Sequence, residues 1–422
     1  MFTAGRYRLA AVAVAAVAAL AACSSSGGGS QSSSSPAGNG TPTSGGATTS
    51  ATAAAAATGS PIVIGSIGTY SGFSAATSGN GKLALQAWAD YVNANGGVAG
   101  HPVNVIIEDD NGSATKALAA AKDLVENKHA IAIVGQHEAG LESSWASYVA
   151  SKKVPVIGGN SSAPDWLSNP DFFPTSANAL NTMTVTIYAT VLAGKKSFGT
   201  AYCAEVPGCA QAGALAQSIT SKLGLTYAAG VAVSATAPSY AAQCLTLKNK
   251  GAEAIFAGLD VNTTKRLIAD CAKQGYKPVW LDVPQNWSAA ESKNSVWDGA
   301  WLTSDTASWL DTSDTIKSFN ENAPKYEPKI DVQNTVGTAA WVAAEVFKAA
   351  VEKSGATADV TSADVLKGLY ALGPDFNLGG AIAPVTYTAG KPATQKPCGW
   401  FLSVSGGQVT APKGAGQICV GS

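Results

Sequence analysis

Short apolar runs of strand length alternate with segments of helical spacing, and the alternation occurs twice along the chain. Residues 62–67, 103–107, 131–134 and 154–157 read as strands. Ala84, Ala87, Trp88, Tyr91 and Val92, then Ala117, Leu118, Ala121, Leu124 and Val125, then 141–151, read as the helices between them. After Thr182 the pattern restarts, with strands at 197–202, 228–233, 254–257 and 278–281 and helices near 210–223, 240–250 and 261–274. Strands this short and apolar, each followed by a helix, belong in parallel sheets covered on both faces. A long helix is expected over 335–353, and short extended pieces at 385–387, 399–402 and 417–420. In open parallel sheets ligands sit at the carboxyl ends of strands. That rule selects loops 68–81, 109–113, 135–140 and 158–164 in the first unit, and 203–209, 259–262 and 282–289 in the second.

The first sixty residues say where such a fold works. Arg6 and Arg8 precede an apolar run over 9–19 and then Leu20, Ala21, Ala22 and Cys23, the layout of a secretory signal. The run is shorter than the roughly 20 residues that a membrane span needs. Its ending resembles the bacterial lipobox, which implies acylation of Cys23 and removal of 1–22. Residues 24–60 are almost wholly Ser, Gly, Ala and Thr. Such a coil cannot offset its chain entropy by burial and acts as a tether of about 30–35 Å.

Net charge is −1 and charged residues make up 13% of the chain. That balance, with no basic run, argues against nucleic acid as a partner. Six cysteines besides Cys23, namely Cys203, Cys209, Cys244, Cys271, Cys398 and Cys419, all lie beyond residue 200. In an exported chain they suggest three disulfides. Of the fifteen possible pairings, proximity favours Cys203–Cys209, Cys244–Cys271 and Cys398–Cys419. A metal site competes poorly, because no CxxC or HxxxH spacing exists and His101, His129 and His137 are scattered.

Other motifs weaken on inspection. Gly79, Asn80, Gly81 and Ala84 fit a dinucleotide fingerprint, but about a dozen residues separate them from the preceding strand, where the fingerprint should begin at once. Asp109, Asp110, Asn111 and Gly112 resemble part of a calcium loop without its closing Glu. No G-x-S-x-G elbow is present, and only His137 falls in a predicted ligand loop. Asn160, Ser161, Ser162, Ala163 and Pro164 follow a strand and suit either a polar head-group clamp or a helix cap.

The order of these pieces resembles the branched-chain amino acid type of ABC-transporter substrate-binding protein. Ile64 to Gly72 looks like its opening strand and Ser-Gly loop, and Asn95, Gly96, Gly97, Val98, Gly100 and Val103 carry its most specific segment. Glu108 to Asp110, Val134-Gly135, Val154 to Ile157, Val385 to Tyr387 and Gly390 to Pro392 follow in its order. The resemblance implies two doubly wound α/β lobes joined by a multi-strand hinge, the type I periplasmic-binding or venus-flytrap fold. It implies the divisions 61–176 (lobe 1), 177–303 (lobe 2), 304–383 (lobe 1 again) and 384–422 (a C-terminal segment returning to hinge and lobe 2). The chain is expected to cross near Thr175-Ser176, Thr303–Asp305 and Ala383.

By the same resemblance the clamp on the ligand comprises Gln136, Ala139, Gly140, Ser161 and Ser162, with Phe73 and Thr77 from the first loop. From lobe 2, Asp260 and Gln285 are the matching contacts, Trp287 lies nearby, and Glu205 is expected from the 203–209 loop that the strand rule selects. The family's amino acid binders carry an acidic residue where this chain has Gln285. Either Asp260 takes over the ligand ammonium, or the ligand is uncharged or anionic. Trp287 either covers an apolar portion or packs within its lobe. The expected protein is thus a monomeric lipoprotein without cofactor, metal or catalysis, on the outer face of the bacterial membrane. It would pass an amino acid or amide-like solute to an ABC permease; a ligand sensor of the same fold is the alternative.

Overall fold

The structure is a computed structural model that describes residues 57–71, 75–138, 140–205 and 207–421. Lobe 1 opens with β1 (Ile62–Gly68), α1 (Ala75–Ala94), β2 (Val103–Asp109), α2 (Ala114–Lys122), β3 (Ile133–Gln136), α3 (Ala146–Ser151), β4 (Val156–Gly159), α4 (Asp165–Ser168) and β5 (Phe172–Phe173). Its five strands are parallel in the order β2-β1-β3-β4-β5. The period of two divides each strand between two cores. Ile64, Val134 and Ile157 face Leu85, Trp88 and Phe347, while Ile67, Ile133 and Val156 face Leu124, Trp145 and Trp166.

Lobe 2 contains α5 (Ala179–Leu192), β6 (Ser197–Cys203), α6 (Pro207–Lys222), β7 (Thr226–Val233), α7 (Ala241–Asn249), β8 (Ala254–Gly258), α8 (Val261–Lys273), β9 (Val279–Asp282) and β10 (Trp301–Ser304). The chain then returns to lobe 1 for α9 (Asp314–Tyr326), α10 (Thr335–Ser354), α11 (Ser362–Ala371) and the hairpin β11 (Val385–Thr388) and β12 (Lys391–Gln395). It ends in lobe 2 with β13 (Cys398–Ser405), β14 (Gln408–Thr410) and β15 (Ile418–Cys419). The lobe 2 sheet runs β7-β6-β8-β9-β10 in parallel and closes with antiparallel β13 and β14, while β15 pairs with β13.

Helix α10 is the buried spine of lobe 1. Fifteen of its residues are buried, among them Trp341 and Phe347, and it starts on an Asn334 side-chain cap and stops at left-handed Gly355. Helix α11 crosses it so closely that a Cβ on Gly368 would overlap the Ala350 carbonyl. Three disulfides, Cys203–Cys209, Cys244–Cys271 and Cys398–Cys419, all lie in lobe 2. The middle one ties α7 to α8 on one face of the sheet.

The chain passes between lobes three times, at 174–178, 305–313 and 396–397. The last passage comes later than the Ala383 expected from sequence, because β11 and β12 first pair on lobe 1, where Tyr387 packs on Phe173. The first passage is bonded to the second and to the hairpin of β11 and β12. Ala177 N donates to Asp305 O (2.8 Å), Gln395 Nε2 to Ser176 O (2.9 Å) and Tyr387 OH to Pro174 O (2.8 Å). Helices α5, α9 and α11 are not among the elements expected from sequence, although α9 buries Ile316, Phe319 and Ala323 at helical spacing. Their packing on neighbouring elements, not propensity alone, decides them.

Candidate functional site

The carboxyl ends of β1, β3 and β4 in lobe 1 and of β6, β8 and β9 in lobe 2 carry the loops that the strand rule selects. Two cavities lie where these loops meet the hinge. One, about 40 Å³, is lined by Ser78, His137, Asn160, Ser176, Asp305 and Thr335, with Gln285 reaching in from lobe 2. The other, about 220 Å³, is walled by Ser162 of lobe 1, by Ala177 and Ala179 at the hinge, and by Met183, Phe256 and Val283 of lobe 2. Gln285 and Asp305 line both. The lobes also touch directly here. Asn334 Nδ2 donates to Trp287 O (2.7 Å) and Gln285 O (3.3 Å), and Ala289 N donates to Asp331 Oδ2 (2.9 Å).

In lobe 1 the loop after β3 is built around buried acids. Gln136 is fully buried; its Nε2 donates to Asn160 O (2.7 Å) and Glu142 Oε1 (3.1 Å), and its Oε1 accepts from Glu138 N (3.0 Å). Gly159, at φ +103°, lies so close that a Cβ would stand 2.0 Å from Gln136 O. The Glu138 carboxyl accepts from Trp145 Nε1 (2.8 and 2.9 Å) and meets that of Asp110. Burial, first, and the neighbouring carboxylate of Glu142 push Glu138 up to about 9. The Asp110 Oδ2 is buried without a hydrogen-bond partner, and the Glu138 carboxyl is the acid that meets the Asp110 side chain. Burial likewise raises Glu142 to about 7 and lowers His137 to about 4, whose Nδ1 lies 3.0 Å from Gly135 O.

The residues expected at the clamp divide. Ser162 lines the larger cavity, while Ser161 is buried and bonds Ser176 Oγ at 3.0 Å, tying its loop to the hinge. Gly140 is exposed at φ +78° and borders neither cavity. Phe73, Ala139 and the side chain of Thr77 lie outside the described residues, as does Cys23.

In lobe 2, Gln285 Nε2 donates to Asp305 Oδ2 at 3.1 Å. Asp260 instead caps α8, its Oδ1 accepting from Asn262 N (3.0 Å) and Thr263 N (3.1 Å), and these bonds hold its carboxyl below the usual range against partial burial. Glu205 is exposed and accepts from Ala235 N at 2.8 Å. Trp287 is buried in the lobe 2 core, edge-on to Trp297 at 4.9 Å. Neither Glu205 nor Trp287 lines either cavity. Asp305, expected from sequence only at a chain crossing, is the acid that faces both. Its signal was available, since it follows directly on the carboxyl end of β10.

Two carboxyls at this boundary have no cationic partner. Asp305 is 7% exposed, and burial raises it to about 6 against the bond from Gln285. Asp282, at the end of β9, is raised to about 8 by burial against the bond from Val283 N (2.7 Å). The ion pairs among the described residues all lie elsewhere. No group of described His, Cys, Asp or Glu could hold a metal ion, and no described helix is long and apolar enough to cross a membrane.

A family model described as "Periplasmic binding protein" matches residues 61–408. No curated protein matches the chain. Among solved structures, a branched-chain amino acid ABC transporter from Thermus thermophilus with bound valine aligns at 13% identity and TM-score 0.72, covering 86% of this chain and 98% of its own. An extracellular ligand-binding receptor from Verminephrobacter eiseniae aligns at 16% and 0.69, covering 83% and 99%. A solute-binding protein from R. palustris in complex with 4-hydroxybenzoate aligns at 18% and 0.66, covering 85% and 97%. At these identities the likeness is one of fold.

Proposed function

The chain belongs to the periplasmic binding protein family, a family of solute binders and not of enzymes, and from that premise we propose that it captures a small polar solute between its lobes for an ABC importer. The observation that carries this reading is the pair of cavities at the lobe boundary, each with walls from both lobes and the hinge. A ligand that touches both lobes stabilises the state in which they are closed, and the hydrogen-bonded crossings provide the hinge. Its structural neighbours hold valine and 4-hydroxybenzoate, so small monomeric solutes suit the fold. The amino acid or amide-like class expected from sequence remains the working choice.

The same reading makes the protein a monomeric lipoprotein. Cys23 carries the lipid, residues 24–60 form the tether, and the folded part works outside the cytoplasmic membrane beside its permease. The support is the basic and apolar start of the chain and the Leu-Ala-Ala-Cys ending. Calorimetry and small-angle scattering across a panel of amino acids, amides and aromatic acids test the capture. A binding solute should also shrink the radius of gyration, and a panel that changes neither heat nor shape would refute it. Mass spectrometry of the N-terminal peptide tests the lipid.

A further inference from the structure

The charge balance at the lobe boundary selects a ligand class. Asp305 is almost wholly buried and lines both cavities. The donors to its carboxyl are neutral ones, Gln285 Nε2 at 3.1 Å and its own backbone N–H. Asp282 ends the neighbouring strand, where its register partner is Leu302 of β10, and it too is bonded by a backbone N–H. No described Lys, Arg or His pairs with either. A buried carboxylate without a partner is costly, so the cleft as it stands lacks one positive charge.

Resting on the solute-capture reading above, we propose that the cleft takes solutes bearing an ammonium or similar cationic nitrogen, with Asp305 as the carboxylate that receives it and Gln285 as the residue that aims that carboxylate.

The alternatives fit less well. Asp260 is committed to the first turn of α8. A purely anionic solute would bring a second negative charge beside Asp305, with no described cation bonded to it to offset it. Burial raises the Asp305 carboxyl, and a cation in either cavity beside it would offset that. Met183, Phe256 and Val283 line the larger cavity, which suits a short hydrocarbon body attached to the charged nitrogen.

The test compares charge states on two fixed skeletons by calorimetry. On the isobutyl skeleton the probes are leucinamide (cation), leucine (zwitterion), 4-methylpentanamide (neutral) and 4-methylpentanoate (anion). On the benzyl skeleton they are benzylamine, phenylglycine, benzamide and benzoate. In the unmodified protein, the ammonium-bearing probes should bind tightest on at least one skeleton. Asp305→Asn should weaken them by roughly 30-fold or more and leave the neutral amides nearly unchanged. The ranking in the unmodified protein does not depend on the variant folding. Tighter binding of an anion than of its matched cation would overturn the assignment, as would ammonium probes indifferent to Asp305→Asn, and both leave solute capture standing. Absence of binding by every probe and by the wider solute panel would remove the capture reading itself.

Discussion

Replacing Glu138 by Gln tests the buried acid pair beneath the lobe 1 clamp. Glu138 lies at about 9 in the folded protein against 4.5 for the free side chain, chiefly through burial. For an acid raised on folding, the stability contribution is fully present below the unfolded value. It is lost progressively as pH rises from there to the folded value. At pH 7 the folded protein keeps a proton that the unfolded chain has released. Across the 2.5 units between 4.5 and 7, this costs roughly 3 kcal/mol at about 1.4 kcal/mol per unit. A Gln at this position needs no proton. Its Oε1 can accept from Trp145 Nε1, and its Nε2, turned away from that N–H, can donate to the neighbouring Asp110 carboxyl. Glu138→Gln is therefore expected to stabilise the fold by up to roughly 3 kcal/mol at pH 7, with the gain fading toward pH 4.5. Denaturant unfolding of both proteins at pH 5, 6, 7 and 8 measures the difference, from which groups common to both cancel. A difference that stays flat with pH, or a variant less stable at pH 8 than at pH 5 relative to the unmodified protein, would show that Glu138 is ionised.

Three further outcomes are expected. Asp260→Ala should cost about 1 kcal/mol of stability as a lost helix cap, while solute affinity measured by calorimetry stays unchanged; a large affinity loss would return Asp260 to the ligand. Gly159→Ala should destabilise by roughly 2–3 kcal/mol through its left-handed φ and the overlap with Gln136 O, with chemical shifts moving in the loop after β3; a neutral variant would mean that this backbone approach is loose. Replacing Cys244 and Cys271 together by Ser, which opens a link spanning 27 positions, should cost about 3–4 kcal/mol, and hydrogen exchange should rise in α7 and α8 while α10 keeps its protection. Uniform loss across both lobes would contradict lobe-by-lobe stabilisation.

The repeating architecture was legible in the chain because parallel strands buried on both faces need continuous apolar runs, and their covering helices need a stripe of period 3.6. Ile62 to Ile67, Val103 to Ile107 and Ala254 to Ala257 show that plainly. Cysteine proximity pointed to the same three pairs that the structure forms, since each joins neighbouring elements of one lobe. Of the loops that the strand rule selects, 68–81, 135–140, 158–164 and 282–289 line the two cavities, and 109–113, 203–209 and 259–262 do not.

What tertiary structure decided is the use of each side chain within those loops. Asp260, Gln285 and Asp305 are all polar residues after strands, and of the three only Asp260 directly precedes a helix expected from sequence. Asp260 precedes a helix whose first N–H groups lack acceptors and so is drawn into capping. Asp305 has no such helix next to it, and the lobe 2 loop brings Gln285 to it across twenty residues. Ser161 and Ser162 are adjacent, yet one is buried and bonds the hinge while the other is exposed and lines the cavity, a division that residue type does not reveal. Periodicity is a property of the chain and can be read along it. The partner of a given carboxyl is set by which segments meet, and that is decided only when the two lobes and their crossings come together.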